Sequence, residues 1–295
     1  MKILITGGSG LLGQYLNRAL SRDSEILTLY NSNIGNCGKY NSLKTDLTDF
    51  TSLKKIFSSF MPDLVIHTAA ISRPETCDEL PEEFVLSVNL YSTIELAKLC
   101  DQYNAKLIYT STDLVYAGNQ GAMLKEDAHL DPVSLYADTK LKSENEIQKI
   151  FDNYIILRTS LLYGMGLNHS MNNFHSMYNN FKNNKPAKLF YDQYRTPLSL
   201  SDASELIRGI VKEDIKEIII NFGGRERVSR TELGEMLCEI GKFDRSLIEK
   251  ISMYDIPKLH KVADVSMNTG LLQALGFFQK SIEESINEIL EEHVD

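Results

Sequence analysis

The chain has 295 residues, 43% apolar and 24% charged, with a formal net charge of −9 and a pI near 5.3. That length supports a sizeable core and one or two domains, and the acidic balance argues against a duplex-binding surface. The N-terminal "MKILITGG" is too poor in apolar residues for a signal peptide, and no run approaches the roughly 18 that a membrane span needs. The expectation is therefore a cytoplasmic protein with no nucleic-acid or membrane partner. Cys37, Cys77, Cys100 and Cys238 form no close pair, so they read as free thiols in a reducing compartment rather than a zinc or redox site. His169 and His175 lack carboxylates or cysteines at ligand spacing, and no metal site is expected.

The first two-thirds alternate strand and helix signals. "KILIT" (2–6) is a short apolar run closed by glycines, as a buried parallel strand should be. Residues 11–22 have helical spacing, 25–30 read as a strand, 53–60 as a helix and 63–70 as a third buried strand. A long helix is predicted over 82–103, a strand over 106–112, a helix around Tyr136, and a strand over 154–160. After Gly164 a stretch rich in Asn, Gly and Met predicts a loop plus a helix. A helix over 202–213 and a strand over 217–222 then resume the rhythm, and 230–243 and 281–293 are helical. The fold class expected is α/β, a doubly wound parallel Rossmann sheet with a small interleaved C-terminal substrate domain. The dinucleotide-binding domain is assigned to 1–163, completed by about 198–222; residues 164–197 and 223–295 form the substrate region.

"ITGGSGLLG" (5–13) ends the first strand and opens the first helix. Gly8, Gly10 and Gly13 satisfy a dinucleotide fingerprint, and Gly7, Gly10 and Gly13 give TGxxGxxG. A tight turn needs glycine torsions, a pyrophosphate must approach the backbone, and the helix N-terminus offers free N–H groups. Gly13 would let the helix pack closely on the sheet. The second strand ends in Tyr30, Asn31 and Ser32, where an acid would bind a ribose 2′-OH. With no acid to repel a 2′-phosphate and no arginine to clamp one, NADPH is favoured weakly over NADH. Lys39 is the nearby cation whose reach the sequence leaves open.

"SLYADTKLKSEN" (134–145) places Tyr136 four residues before Lys140, on one helix face. Taken with the glycine loop, with Thr112 and with the order of "DLTD" (46–49), "HTAA" (67–70), Asn89, "YTSTDLVYAG" (109–118) and "LRTSLLYG" (157–164), the chain resembles the extended branch of the short-chain dehydrogenase/reductase superfamily over nearly its whole length. The resemblance implies that Asp46 and Leu47 flank the adenine and that Ala69 and Ala70 line the cofactor groove. Gly7, Gly10, Leu11, Leu12, Gly13 and Asn31 complete the cofactor set, with Tyr136 and Lys140. It makes Thr112, Tyr136 and Lys140 the catalytic group. A nearby ammonium favours phenolate, so Lys140 is expected to lower the Tyr136 pKa from its ordinary value near 10.

The branch narrows on chemistry. Sugar-nucleotide 4,6-dehydratases carry Thr-Asp-Glu where this chain has Thr112-Asp113-Leu114, and leucine moves no proton. The cysteine and histidine of GDP-fucose epimerase-reductases have no counterparts. "STDLVYAG", "DQYRTPLSLSDASELI" (192–207) and "ADVSMNTGLLQALGF" (263–277) are similar to dTDP-4-dehydrorhamnose reductases. The implied activity is NAD(P)H-dependent reduction of a 4-keto-6-deoxy sugar nucleotide in deoxysugar or polysaccharide biosynthesis. Asp113 then either touches sugar hydroxyls or caps its loop, and Arg195 either pairs with the substrate pyrophosphate or is a surface residue. Asn172 and Asn173 are further candidates, while the aromatics between 174 and 191 read as packing. Leu161 stands where a tryptophan is common. "SRPETCDELPEEF" (72–84) is also similar to the regulatory β subunit of methionine adenosyltransferase, so an NADP-binding regulatory protein is an alternative, and a sugar-nucleotide epimerase another. Some reductases of this kind use magnesium at a dimer interface; no carboxylate cluster here demands it, and a homodimer is neither required nor excluded.

Overall fold

A computed structural model describes residues 1–292. Strands β1 (Lys2–Thr6), β2 (Glu25–Tyr30), β3 (Ser42–Lys44), β4 (Leu64–His67), β5 (Lys106–Thr112) and β6 (Tyr154–Thr159) join a seventh, Ile218–Phe222, in one sheet. From one edge the order is β3-β2-β1-β4-β5-β6 and then the seventh strand, and every pairing is parallel. The chain thus winds outward from β1 in both directions, leaving a switch point between β1 and β4.

The alternation of side chains explains why both faces are covered. Ile3 and Ile5 of β1 point to one side, with Leu64 and Ile66 of β4 and Ile155 and Leu157 of β6. Helices α1 (Leu11–Leu20) and Leu200–Ile210 cover that side through Leu12, Leu16, Ala203 and Ile207. Leu4, Val65, Leu107 and Ile156 point the other way, under helices Phe50–Phe60 and Ser92–Tyr103. Strands buried on both faces read as unbroken apolar runs, which is what made them recognisable.

Three details differ from expectation. Strand β3 carries only "SLK", with Leu43 and Lys44 exposed, so no apolar run marked it. A short helix, Pro74–Glu79, starts with proline at its first position. The long helix over 82–103 is continuous but contains a π turn, Ser87–Tyr91, which carries Asn89. The last residue of the helix predicted over 281–293 lies outside the described residues; the helix is described as Ile282–Glu291.

Downstream segments build over the C-terminal edge of the sheet. Helices Asn173–Lys182, Arg230–Gly241 and Ile282–Glu291 share a cluster that includes Phe174, Phe181, Leu237 and Ile286. Val228–Ser229 pairs antiparallel with Tyr194–Arg195, and Ile248–Ile251 pairs parallel with Ala187–Phe190. These small ladders bring Arg195 and Arg230 over the ends of β5 and β6.

Candidate active site

A cleft of about 1080 Å³ runs along the C-terminal ends of β1, β2, β4, β5 and β6. It is at the top of the ~300–1,000 Å³ range for small-molecule sites, so it has room for a dinucleotide and a second ligand. Its walls include Gly7, Gly10, Leu11, Leu12, Asn31, Asp46, Leu47, Ala69, Ala70, Thr112, Asp113, Tyr136, Lys140 and Arg195. Among the expected residues, Gly13 does not line it. A Cβ there would lie 2.1 Å from the Gly7 carbonyl oxygen, so Gly13 serves the close seating of α1 on the turn.

The glycine turn is shaped for an anion. Gly7 has φ +68°, and a Cβ there would come within 2.8 Å of Ala69 N. The Gly10 N–H donates to the Gly7 carbonyl at 2.8 Å. Gly10 is also the N-cap of α1, with no side-chain cap and no acid in the first turn. The first N–H groups of the helix and its positive end are therefore left for a phosphate. These residues fit a nicotinamide dinucleotide. At the end of β2 the wall is Tyr30, Asn31, Ser32 and Asn33, with no acid; Lys39 is exposed and does not line the cleft. Asp46 accepts from Thr48 N at 2.9 Å and Thr48 Oγ1 at 2.8 Å, which fixes the loop at that end.

Thr112 ends β5, and Tyr136 and Lys140 lie on helix Leu135–Ile150, whose N-cap Ser134 accepts from Ala137 N at 3.2 Å. Thr112 and Tyr136 both line the cleft. Thr112 Oγ1 also accepts from Leu114 N at 3.2 Å and donates to Asp113 Oδ1 at 3.3 Å. The expected effect of Lys140 on Tyr136 is corrected here. Burial pushes the Tyr136 hydroxyl up, the polar Thr112 side chain opposes that, and Lys140 does not counter it. The Lys140 ammonium instead sits 4.2 Å over the Tyr109 ring. Burial pushes Lys140 itself down to about 7, with Glu144 opposing.

Asp113 and Arg195 are both buried, and Arg195 Nε stands 3.4 Å from Asp113 Oδ2. Ser160 Oγ donates to the same carboxylate oxygen at 3.1 Å. Burial pushes Asp113 up and Arg195 down, and their mutual attraction opposes both shifts. Arg195 is thus neither a surface residue nor an uncommitted cation. Arg230, missed in the sequence, also lines the cleft, and its Nε is buried with no hydrogen-bond partner. Burial pushes it down to about 10, with Arg195 adding repulsion. Asp113 and Glu75 offset burial at Arg230, and Asp113 and Asp264 offset it at Arg195, but the unpartnered Arg230 Nε leaves a cationic donor in the cleft for an anion. No spacing in the sequence reveals Arg230. It opens a helix capped by Ser229 and Glu232, and only the pairing of Val228 with Arg195 brings it over the cleft.

Asn172 accepts from His175 N at 2.8 Å, capping its helix, while its Nδ2 is buried without a partner. Phe190 is the aromatic of the 174–191 stretch that faces the cleft; it also borders an adjoining cavity of about 300 Å³ beneath Leu161 and Arg230. Across the mouth, His260 Nε2 lies 2.7 Å from Asp78 Oδ2. The four cysteines are free and buried. Among the described residues no cluster of three or more His, Cys, Asp or Glu side chains is placed to hold a metal, and no helix is long and apolar enough to cross a membrane.

Known proteins are similar to this chain over most of their length. Methionine adenosyltransferase 2 subunit beta of Xenopus laevis is 24% identical over 290 residues, covering 95% of this chain and 84% of that protein. A dTDP-4-dehydrorhamnose reductase of Aggregatibacter actinomycetemcomitans is 27% identical over 275 residues, covering 91% and 86%. The solved structure of dTDP-4-dehydrorhamnose reductase from Bacillus anthracis in complex with NADP has the same fold, with a TM-score of 0.86, 20% identity and 99% of both chains covered. The model of the RmlD substrate binding domain matches residues 1–294, and the chain belongs to that family.

Proposed function

We propose that this protein is an NAD(P)H-dependent reductase of a 4-keto-6-deoxy sugar nucleotide. The observation that carries the reading is the meeting of Thr112, Tyr136 and Lys140 in one cleft with the glycine turn, with Leu114 where a dehydratase would place an acid. The glycine turn and the first turn of α1 hold the pyrophosphate, Asp46 and Leu47 flank the adenine, and Ala69 and Ala70 floor the groove. When bound, the dihydronicotinamide supplies hydride for a carbonyl carbon. Tyr136 gives its proton to the carbonyl oxygen, and Thr112 hydrogen-bonds that oxygen and orients it. A phenol pushed up by burial stays protonated at neutral pH, the state a proton donor needs. Lys140 holds the nicotinamide ribose from below. Arg230 and Arg195 receive the substrate diphosphate, with residues 164–197 and 223–295 as the substrate region.

NADPH should bind at least as tightly as NADH, because no acid stands at the end of β2. A calorimetric titration with clear NADH preference would overturn that assignment. The reductase reading is tested by supplying a panel of 4-keto sugar nucleotides with NADPH and following consumption by mass spectrometry. A second reading rests on the likeness to methionine adenosyltransferase 2 subunit beta over 95% of the chain. On that reading the dinucleotide binds and no sugar nucleotide is consumed.

A further inference from the structure

Glu144 is fully buried and does not line the cleft. It follows Tyr136 and Lys140 by eight and four residues on their helix, so the three share a face at i, i+4 and i+8. Arg158 reaches across from β6 and clamps it, with Nη2 2.9 Å and Nε 3.2 Å from Oε2. Ser111, next to Thr112, donates to Oε1. Arg158 is fixed in turn by donating to the Glu126 carbonyl at 2.8 Å and the Tyr116 hydroxyl at 3.0 Å, and Tyr116 donates to Asn221 at 2.8 Å. An apolar pair would fill such a space as stably as a buried ion pair, so the network calls for another role.

We propose that Glu144, clamped by Arg158 and Ser111, is a positioning residue for Lys140: it ties their shared helix to β5 and β6 and holds a negative charge one helical turn from the lysine in the cleft wall. The inference rests on the reading of Lys140 as the group that holds the cofactor ribose. The groups facing Lys140 leave that task to Glu144. From β4 comes His67, kept neutral by burial at about 3 and bonded to Thr6 and Thr93. From β5 comes the Tyr109 ring, and from the helix itself Tyr136, a neutral phenol. Glu144 is the group that opposes the effect of burial on Lys140. Removing its charge while keeping its shape shifts Lys140 toward the neutral amine.

The test is the pH dependence of NADPH affinity, read by fluorescence titration on folded protein. Wild-type affinity should weaken as pH rises through about 7, the value for Lys140. Glu144→Gln should move that midpoint down by about 1 unit or more, and Glu144→Asp should restore it. A folded Glu144→Gln with weaker binding but an unmoved midpoint would reduce Glu144 to a structural role and overturn the proposal. If Glu144→Gln leaves Arg158 too poorly paired to fold, the double variant Glu144→Gln/Arg158→Met removes both charges together. A smaller downward shift is expected there, because the Arg158 charge is lost with that of Glu144 and the carboxylate is the nearer of the two along the helix, and an unmoved midpoint again overturns the proposal. The titration needs no sugar substrate, so absent turnover would sink the reductase reading without deciding this one.

Discussion

Tyr136 and Lys140 ask for separate tests because they do separate things. Tyr136→Phe keeps the ring and removes the proton donor. Turnover should fall about 10²- to 10⁴-fold while NADPH affinity stays, a split that steady-state kinetics and titration would read together. Lys140→Met should weaken both. The lysine also carries a stability signature. Its value in the fold, about 7, lies below its ordinary 10.5. Between those values the unfolded chain binds the extra proton, so this group's contribution to stability rises with pH, and its cost is full below about 7. Lys140→Met removes that cost, so thermal melts near pH 7 and below should shift upward as activity is lost; a lower melting temperature would contradict the sign. Arg230→Met should relieve repulsion with Arg195 while deleting an anion contact. A charge-assisted hydrogen bond is worth ~1.5–3 kcal/mol, so KM for a sugar nucleotide should rise about tenfold or more, with kcat less changed. Unchanged KM would place the diphosphate elsewhere.

At the scale of elements, the N-terminus of α1 gives the cleanest separation of fold from function. Gly10 is the N-cap in extended backbone, φ −72° and ψ 178°, a conformation aspartate adopts readily. Gly10→Asp would supply the side-chain cap that α1 lacks and set a carboxylate against the helix's positive end. A Cβ there would lie 3.0 Å from the Gly7 carbonyl oxygen, a contact that a shift of a few tenths of an ångström relieves, so the protein should fold with a small change in melting temperature yet lose NADPH binding; retained affinity would mean that the pyrophosphate lies elsewhere. Gly13→Ala differs, because its Cβ would meet the Gly7 carbonyl at 2.1 Å, so it should lower the melting temperature as well as the affinity. The glycine turn was readable because each glycine answers a local need. The strands buried on both faces were readable for the same reason: their environment is written in contiguous residues. Strand β3 and helix Pro74–Glu79 were not, being too short to carry a period. The π turn was hidden too, since the spacing of 82–103 stays helical while Asn89 turns to bond Ile71 and Thr139.

Over the whole molecule, the legible half of the cleft lies in the sheet and the illegible half hangs over it. Thr112, Tyr136 and the glycine turn come from strand ends and helix starts that the βαβ rhythm positions. Arg230 reaches the cleft through a two-residue antiparallel ladder, and Glu144 meets Arg158 through the parallel register of β5 with β6 and the packing of a helix upon them. Such contacts are tertiary and leave no spacing to read. Even for Asp113 and Arg195, both singled out in the sequence, the readings open there were sugar contact or loop cap for the one and pyrophosphate partner or surface residue for the other, and their pairing with each other is seen only in the fold. The central claim is that this assembled cleft reduces a ketone on a nucleotide-linked sugar. The most direct measurement is mass-spectrometric turnover of dTDP-linked and other 4-keto-6-deoxy sugars with NADPH, wild type beside Tyr136→Phe. The account predicts a product two mass units heavier, formed by the wild type and about 10²- to 10⁴-fold more slowly by the variant. NADPH binding without consumption of any 4-keto sugar nucleotide, together with capture of a methionine adenosyltransferase by both proteins alike, would contradict it.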